Sequence, residues 1–398
     1  MTASSEGFST TAIVSTFNRA ALVSECLEAL LRQTLPPQQI IVVNDGSEDS
    51  TDETLRAFGS RIEVVRRANR GKSAGINLAL SMARHPLIWI VDDDDLVLPE
   101  ALAMLTGLLQ GAPEAGFAYG RYLRFAGDPH SGRKEIFDTG YWRTCAPSDF
   151  LTATLEDFFV HQPGMLVRRA LYDRVGPFDE RLPRSQDYEM LIRLARVALP
   201  APTEAIVFHQ RQHDGDRGHA AARFAVDQRE DRWMEADKQI LLACHRALEL
   251  REYLASKTLE SPEDRRHALL QRATIMARKK LWALALDDLE SAALASASPL
   301  SDVEKAVVRR AVFSKYGCRE LLDDKTVSRR IQNLARRASS GRQMAQALAR
   351  GLLWRVKEQL RAGNPMEAGR LASLLVSWGL QPPLALSSTG RSNRPKES

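Results

Sequence analysis

The run Leu87-Ile88-Trp89-Ile90-Val91 passes without a break into Asp92-Asp93-Asp94-Asp95. Five apolar residues without polar alternation describe a strand covered on both faces, the habit of a parallel sheet. Four adjacent carboxylates at its mouth repel one another, and a cation or a set of donors is needed to offset that cost. Successive side chains of an extended strand face opposite ways, so Asp92 and Asp94 are expected on one side and Asp93 on the other. Two hard oxygen ligands on one side suit Mg²⁺ or Mn²⁺, with phosphate oxygens and water completing the shell. A solvated acidic turn is the plainer alternative.

The flanking segments repeat the strand–helix pattern. Apolar, β-branched runs at Thr11–Phe17, Gln39–Val43 and Ile62–Val65 read as strands. Arg19–Gln33, Ser50–Phe58 and Lys72–Ala83 read as helices; Pro86 ends the last, and Pro99 opens another after the acids. Alternation of this kind predicts a parallel α/β sheet, whose ligands bind beyond the carboxyl ends of the strands. Asn18-Arg19, Asn44 to Ser47 and Asp92 to Asp95 all fall at such ends. Three separate strands therefore deliver polar residues to one rim.

Further along, Gly116–Phe125 and Met165–Arg168 read as strands and Asp187–Val197 as a helix. Beyond Ala220 the strand signal stops. Amphipathic stretches follow at Trp233–Ala255, His267–Leu294 and Leu352–Trp378, and Ala273–Lys280 with Leu281–Ala292 resembles a helical hairpin without a clean repeat period. The expected division is a domain over 1–225, an all-α domain over 226–386 and a disordered polar tail over 387–398.

The chain has 398 residues, 44% of them hydrophobic and 26% charged, so it can bury a large core without disulfides. Its four cysteines, Cys26, Cys145, Cys244 and Cys318, form no CxxC pair and read as free thiols of a reducing cytosol. A net charge of +5 without a clustered basic face argues against nucleic acid. The polar opening Met1 to Thr10 lacks an apolar core, and no stretch approaches a spanning helix of about 20 apolar residues. The expected location is the cytoplasm, with peripheral membrane contact left open.

Each polar cluster has a plain and a functional reading. Asn44-Asp45-Gly46-Ser47 is an ordinary turn by composition, or it offers Asp45 to the imide N–H of a uracil or thymine base. Ser15 to Arg19 and Asn69-Arg70-Gly71-Lys72-Ser73 are helix starts that act as caps or face phosphate. The second lacks Walker spacing, and no GxGxxG is present. Asp187, in Ser185-Gln186-Asp187-Tyr188-Glu189, is either an acid favoured by the helix dipole or a general base for an acceptor hydroxyl. His209, His213 and His219 cluster near Arg211, and His213 is a candidate metal or phosphate contact.

Together, Val14–Arg19, Ile41–Asp52, Asn69–Asn77, Ile90–Pro99, Val175–Leu182, Gln186–Arg193 and Arg211–His213 resemble the family 2 glycosyltransferases, in the family's order across roughly the first 215 residues. The resemblance implies a GT-A fold, a Rossmann-like, mixed and mostly parallel sheet flanked by helices. It implies an inverting enzyme of the hexosyltransferase type that takes a nucleotide-diphosphate sugar, UDP-linked by preference. By the same resemblance Asp45 meets the base, and Thr16, Asn18, Arg19, Arg70 and Asn77 surround the donor. Asp94 holds Mn²⁺ or Mg²⁺ with Asp92 beside it and His213 as a further ligand. Asp95 faces the sugar, and Asp187 is the base. Gln186 and Asn44 stand where the family more often has Glu and Asp, which blurs donor identity.

The acceptor is expected to be a glycan, a lipid-linked glycan or a protein, in surface polysaccharide or glycan synthesis, and the helical half covers the acceptor side, mediates oligomerisation or binds a partner. Two other readings compete. A sugar-phosphate nucleotidyltransferase shares this sheet but needs a Gly-rich basic loop after the first strand, which Ser15–Ala20 lacks. A degenerate transferase acting as scaffold conflicts with the intact acids Asp45, Asp94 and Asp187.

Overall fold

The structure, a computed structural model, describes residues 6–129, 133–212 and 229–380. The chain divides into two compact units, Met1–Leu248 and Glu249–Ser398.

The first unit is built on a nine-stranded sheet. Its strands are β1 (Thr10–Thr16), β2 (Gln39–Asn44), β3 (Glu63–Arg66), β4 (Leu87–Asp92), β5 (Leu96–Val97), β6 (Phe117–Gly127), β7 (Lys134–Asp138), β8 (Met165–Arg168) and β9 (Pro200–Arg211). The order is β3-β2-β1-β4-β8-β6-β9-β5, with β7 paired to β6. β3, β2, β1 and β4 run parallel. β8 turns against β4 and β6, and β9 returns parallel to β6. The mixed, largely parallel sheet expected for a GT-A fold is what forms.

Around it lie α1 (Ala20–Leu31), α2 (Thr51–Arg56), α3 (Lys72–Met82), α4 (Ala101–Gly111), α5 (Phe150–Glu156), α6 (Arg169–Val175), α7 (Gln186–Val197) and α8 (Arg229–Ala247). The division between units falls after α8, so that helix counts with the sheet and not with the helices that follow. Alternation along β1 and β4 sends Ala12, Val14, Leu87, Trp89 and Val91 into one core with α1 and α4. The opposite face meets α3, whose Gly75 lies so close to β1 that an added Cβ would stand 2.9 Å from Ser15 Oγ. Every residue of Leu87 to Val91 is at most 3% exposed, as the unbroken apolar run predicts.

The second unit contains α9 (Pro262–Arg278), α10 (Trp282–Ala295), α11 (Asp302–Arg310), α12 (Glu320–Asp323), α13 (Lys325–Arg337), α14 (Ser339–Arg361) and α15 (Pro365–Ser377). The three long amphipathic runs resolve into shorter helices. Trp233–Ala255 stops as a helix at Ala247, His267–Leu294 breaks between Arg278 and Trp282, and Leu352–Trp378 breaks between Arg361 and Pro365. Lys280 and Gly363, at φ 62° and 74°, occupy the left-handed region that ends a helix. The expected hairpin of Ala273–Lys280 with Leu281–Ala292 is α9 packed on α10. Ser261 and Ser301 cap α9 and α11 in reciprocal boxes with Asp264 and Glu304. Arg266, 2% exposed, makes a forked ion pair with Glu304 at 2.7 and 3.0 Å.

Candidate functional site at the carboxyl edge of the sheet

Register brings the polar clusters together. Thr16 pairs with Asn44 across β1 and β2, and Ser15 pairs with Asp92 across β1 and β4. The carboxyl ends of the three central strands are therefore adjacent, and the loops that leave them share one rim.

β4 ends at Asp92, and the chain then turns, with the Asp95 N–H donating to the Asp92 carbonyl at 3.1 Å. Strand alternation thus stops one residue into the acidic run, which corrects the expected reason for dividing it. Asp93 is still set apart, for a different cause, while Asp95, expected on the sugar side, stands with Asp92 and Asp94. Ligand atoms of Asp92, Asp94 and Asp95 lie within 4.8 Å of one another. Asp93 is 5% exposed and points to Arg19, whose Nη1 stands 2.7 Å from Asp93 Oδ1 and 3.0 Å from Asp94 Oδ2. Burial raises the Asp93 carboxyl above the usual range, while Arg19 opposes that rise. The Arg19 guanidinium is held more firmly charged, first by Asp93.

Lys72, the first residue of α3, reaches back to the cluster, and its Nζ stands 2.5 Å from Asp92 Oδ1. Burial alone would lower its ammonium, but Asp92 and then Asp187 outweigh that and raise it. Asp187 lies at the start of α7, where its Oδ1 accepts the Tyr188 N–H at 2.9 Å. Burial lifts the Asp187 carboxyl above the ordinary range; Lys72 opposes the shift and Asp92 adds to it. Asp92, Lys72 and Asp187 thus form one electrostatic unit drawn from β4, α3 and α7.

The other residues expected around the donor tie the rim loops to one another. Asp45 accepts from the N–H groups of Arg70 at 3.2 Å and Gly71 at 2.8 Å, and its Oδ1 lies 2.9 Å from Arg67 Nε. That clamps the loop before α3 onto the β2 turn. Asn18, at φ 52°, accepts the Glu48 N–H at 2.7 Å and joins the β1 loop to the same turn. Thr16 is 2% exposed at the end of β1. Asn77 holds both backbone groups of Phe178, donating to its carbonyl at 3.0 Å and accepting its N–H at 2.8 Å. Arg70 reaches Glu180 at 3.1 Å. Arg70 and Asn77 therefore fasten the 178–180 loop that leads toward α7. Asn44, in place of the more frequent Asp, donates to Asp52 at 2.6 Å and accepts the Ser47 N–H at 2.9 Å. His213 and His219 lie outside the described residues. His209 pairs with Leu96 across β9 and β5.

Two contributors carried no role in the sequence reading. Lys72 stood only as part of a basic helix start. Arg211 stood only inside a matching segment, yet it is 2% exposed and braces the acids from beneath. Its N–H donates to Asp95 Oδ1 at 2.9 Å, Nε to the Asp94 carbonyl at 3.0 Å and Nη1 to the Gly127 carbonyl at 2.6 Å, while Nη2 pairs with Glu25. Its guanidinium also lies 4.5 Å from the Phe125 ring centre. An arginine closing a strand after Ile206–Phe208 was the available signal, since such a cation reaches burial only with several acceptors waiting.

Carboxylate oxygens are the donor set of hard divalent ions, so Asp92, Asp94 and Asp95 fit Mg²⁺ or Mn²⁺. Comparisons with known proteins bear on the family pattern and the fold. Residues 11–176 match Glycosyl transferase family 2. An uncharacterized glycosyltransferase of Rickettsia typhi is 24% identical over 210 residues, 52% of this chain and 65% of that one. Glycosyltransferase GlyG of Streptococcus pneumoniae is 32% identical over 132 residues, 32% of this chain and 43% of that one. The chain thus spans less than two thirds of each of these relatives. Among solved structures, S. aureus TarS 1–349, crystallised with UDP-GlcNAc, superposes with a TM-score of 0.50 at 17% identity, covering 89% of this chain and 92% of that one. Over residues 11–176 the chain bears the family 2 glycosyltransferase pattern, carried on a sheet of the GT-A type.

Proposed function

We propose that the first unit transfers a sugar from a nucleotide-diphosphate sugar to an acceptor hydroxyl with inversion at the anomeric carbon. The observation that carries this reading is the meeting of Asp92, Asp94 and Asp95 with Lys72 and Asp187 at one sheet edge. Asp187 takes the acceptor's proton as its oxygen bonds to the anomeric carbon. The bond from that carbon to the diphosphate breaks, and the nucleoside diphosphate departs. One displacement inverts the centre and requires no enzyme nucleophile. A raised carboxyl pKa suits a base near neutral pH, because it makes the protonated form easier to reach in the transition state.

Charge accumulates on the diphosphate as it leaves. Arg19 and Lys72 are fixed cations beside the rim and stabilise that charge without reorganisation. A divalent cation, Mn²⁺ or Mg²⁺, held by Asp92, Asp94 and Asp95 would supply further neutralisation of the leaving group. Asp45, with Thr16 and Asn18, shapes the pocket for the base; Arg70 and Asn77 act on the donor side through the 178–180 loop. UDP-GlcNAc, which TarS 1–349 binds, is the first donor to test, ahead of dTDP- and GDP-sugars. The acceptor belongs to a glycan, a lipid-linked glycan or a protein.

A screen of donor hydrolysis with and without Mn²⁺ tests the reading. Release of nucleoside diphosphate from one donor class supports it; release of pyrophosphate sinks it. Asp187→Asn and Asp94→Asn are each expected to lower transfer by about 10²–10⁴-fold, the range for loss of a general base or a charge-stabilising group, with the fold intact by circular dichroism. Near-normal turnover by Asp187→Asn would remove it from the role of base.

A further inference from the structure

The exposed face of α14 combines bulky apolar and basic side chains that the transferase reading does not use. At 100° per residue, Arg350, Leu353, Trp354, Lys357, Leu360 and Arg361 fall within an arc of about 120°, and all six are exposed. Leu353 is 40% exposed, Trp354 41% and Leu360 57%. No acidic residue shares the arc. Arg350, Lys357 and Arg361 form no ion pair among the described residues. Phe313 extends the apolar patch, stacked on Trp354 with ring centres 6.5 Å apart. Met366, 86% exposed, stands just beyond the helix at the start of α15. Helix surfaces facing water carry charge of both signs and few large apolar groups, so this composition marks an interaction face.

We infer that this face of α14 docks on an anionic phospholipid surface. Leucines and a tryptophan enter the boundary between headgroups and acyl chains, while the flanking arginines and lysine keep their charges at the phosphates. The charge pattern selects this occupant. A second copy of the same face would set three cations against three cations, with no acid on the arc to pair them. A nucleic acid would match the charge but leave Leu353, Leu360 and Met366 in water. A bilayer with acidic headgroups accepts both halves of the pattern, and neither half alone gives stable attachment. The inference does not rest on glycosyl transfer.

Sedimentation of the full chain with vesicles tests it. The chain is expected to pellet with vesicles of phosphatidylcholine mixed with phosphatidylglycerol, to stay in the supernatant with phosphatidylcholine alone, and to be released by added salt. Arg350→Gln, Lys357→Gln and Arg361→Gln should each weaken binding about fivefold. Leu353→Ser combined with Leu360→Ser should abolish binding while melting as the parent does, because both side chains are exposed. Equal binding to both vesicle types, or binding indifferent to either set of changes, overturns the inference. So does an absence of vesicle binding together with concentration-dependent self-association that the double serine variant abolishes, which would assign the face to a second copy. Binding lost with the glutamine variants but kept by the double serine variant also overturns it, in favour of a general polyanion site.

Discussion

Arg211 illustrates what one buried cation does for a row of acids. Its side chain satisfies the carbonyls of Asp94 and Gly127 and pairs with Glu25, while its own N–H binds Asp95. Arg211→Met is therefore expected to destabilise the chain by about 3–5 kcal/mol, the cost of breaking a buried pair by removing one partner. Arg211→Lys should recover little, because an ammonium lacks the planar fork that reaches three acceptors at once. Guanidinium unfolding of the two variants checks this. A loss under about 1 kcal/mol for Arg211→Met would show that water replaces the guanidinium, and that the acids do not depend on it. Lys72 teaches a related lesson. In the sequence it is one cation in a basic loop, and its link to both Asp92 and Asp187 exists only because α3 starts beside β4 and α7.

The loops at the strand ends were legible as elements, but their internal wiring was not. The Asn44 to Ser47 turn and the segment before α3 sit far apart in sequence, yet Asp45 binds the Arg70 and Gly71 N–H groups across that gap. Gly46 makes the approach possible. At φ 82° an added Cβ would stand 2.9 Å from the Asn69 nitrogen and 3.2 Å from the Arg67 carbonyl. Gly46→Ala is expected to cost about 1–3 kcal/mol in backbone strain and to weaken nucleotide binding by loosening residues 67–71. Chemical denaturation and titration calorimetry measure the two effects. Parent-like stability would mean that the turn is free to shift. The helices of the second unit were visible as amphipathic runs, and the hairpin reading placed a break at Lys280; the break at Gly363 was not visible, because the hydrophobic period runs on across a left-handed residue.

For the molecule as a whole, the acids, Arg19, Lys72, Arg211 and Asp187 all lie within Met1–Leu248. A fragment ending at Leu248 is therefore expected to bind a nucleotide-diphosphate sugar with the affinity of the full chain, by calorimetry at matched metal concentration. A folded fragment that fails to bind would show that the donor site needs residues beyond that unit. No helix among the described residues is long and apolar enough to cross a membrane.

Local pattern determined much of this protein. The strand at Leu87 to Val91, the parallel order around it and the acids at its mouth follow from burial, which imposes an apolar period that a reader can see. The tertiary structure decided the partners. Register placed Thr16 beside Asn44 and Ser15 beside Asp92, and the turn after Asp92 separated Asp93 from its neighbours. It also gave Asn77 and Arg70 a hold on the 178–180 loop. Periodicity reports which face of an element meets the core. Which charge meets which depends on distances between elements far apart in the chain, and no local pattern encodes those.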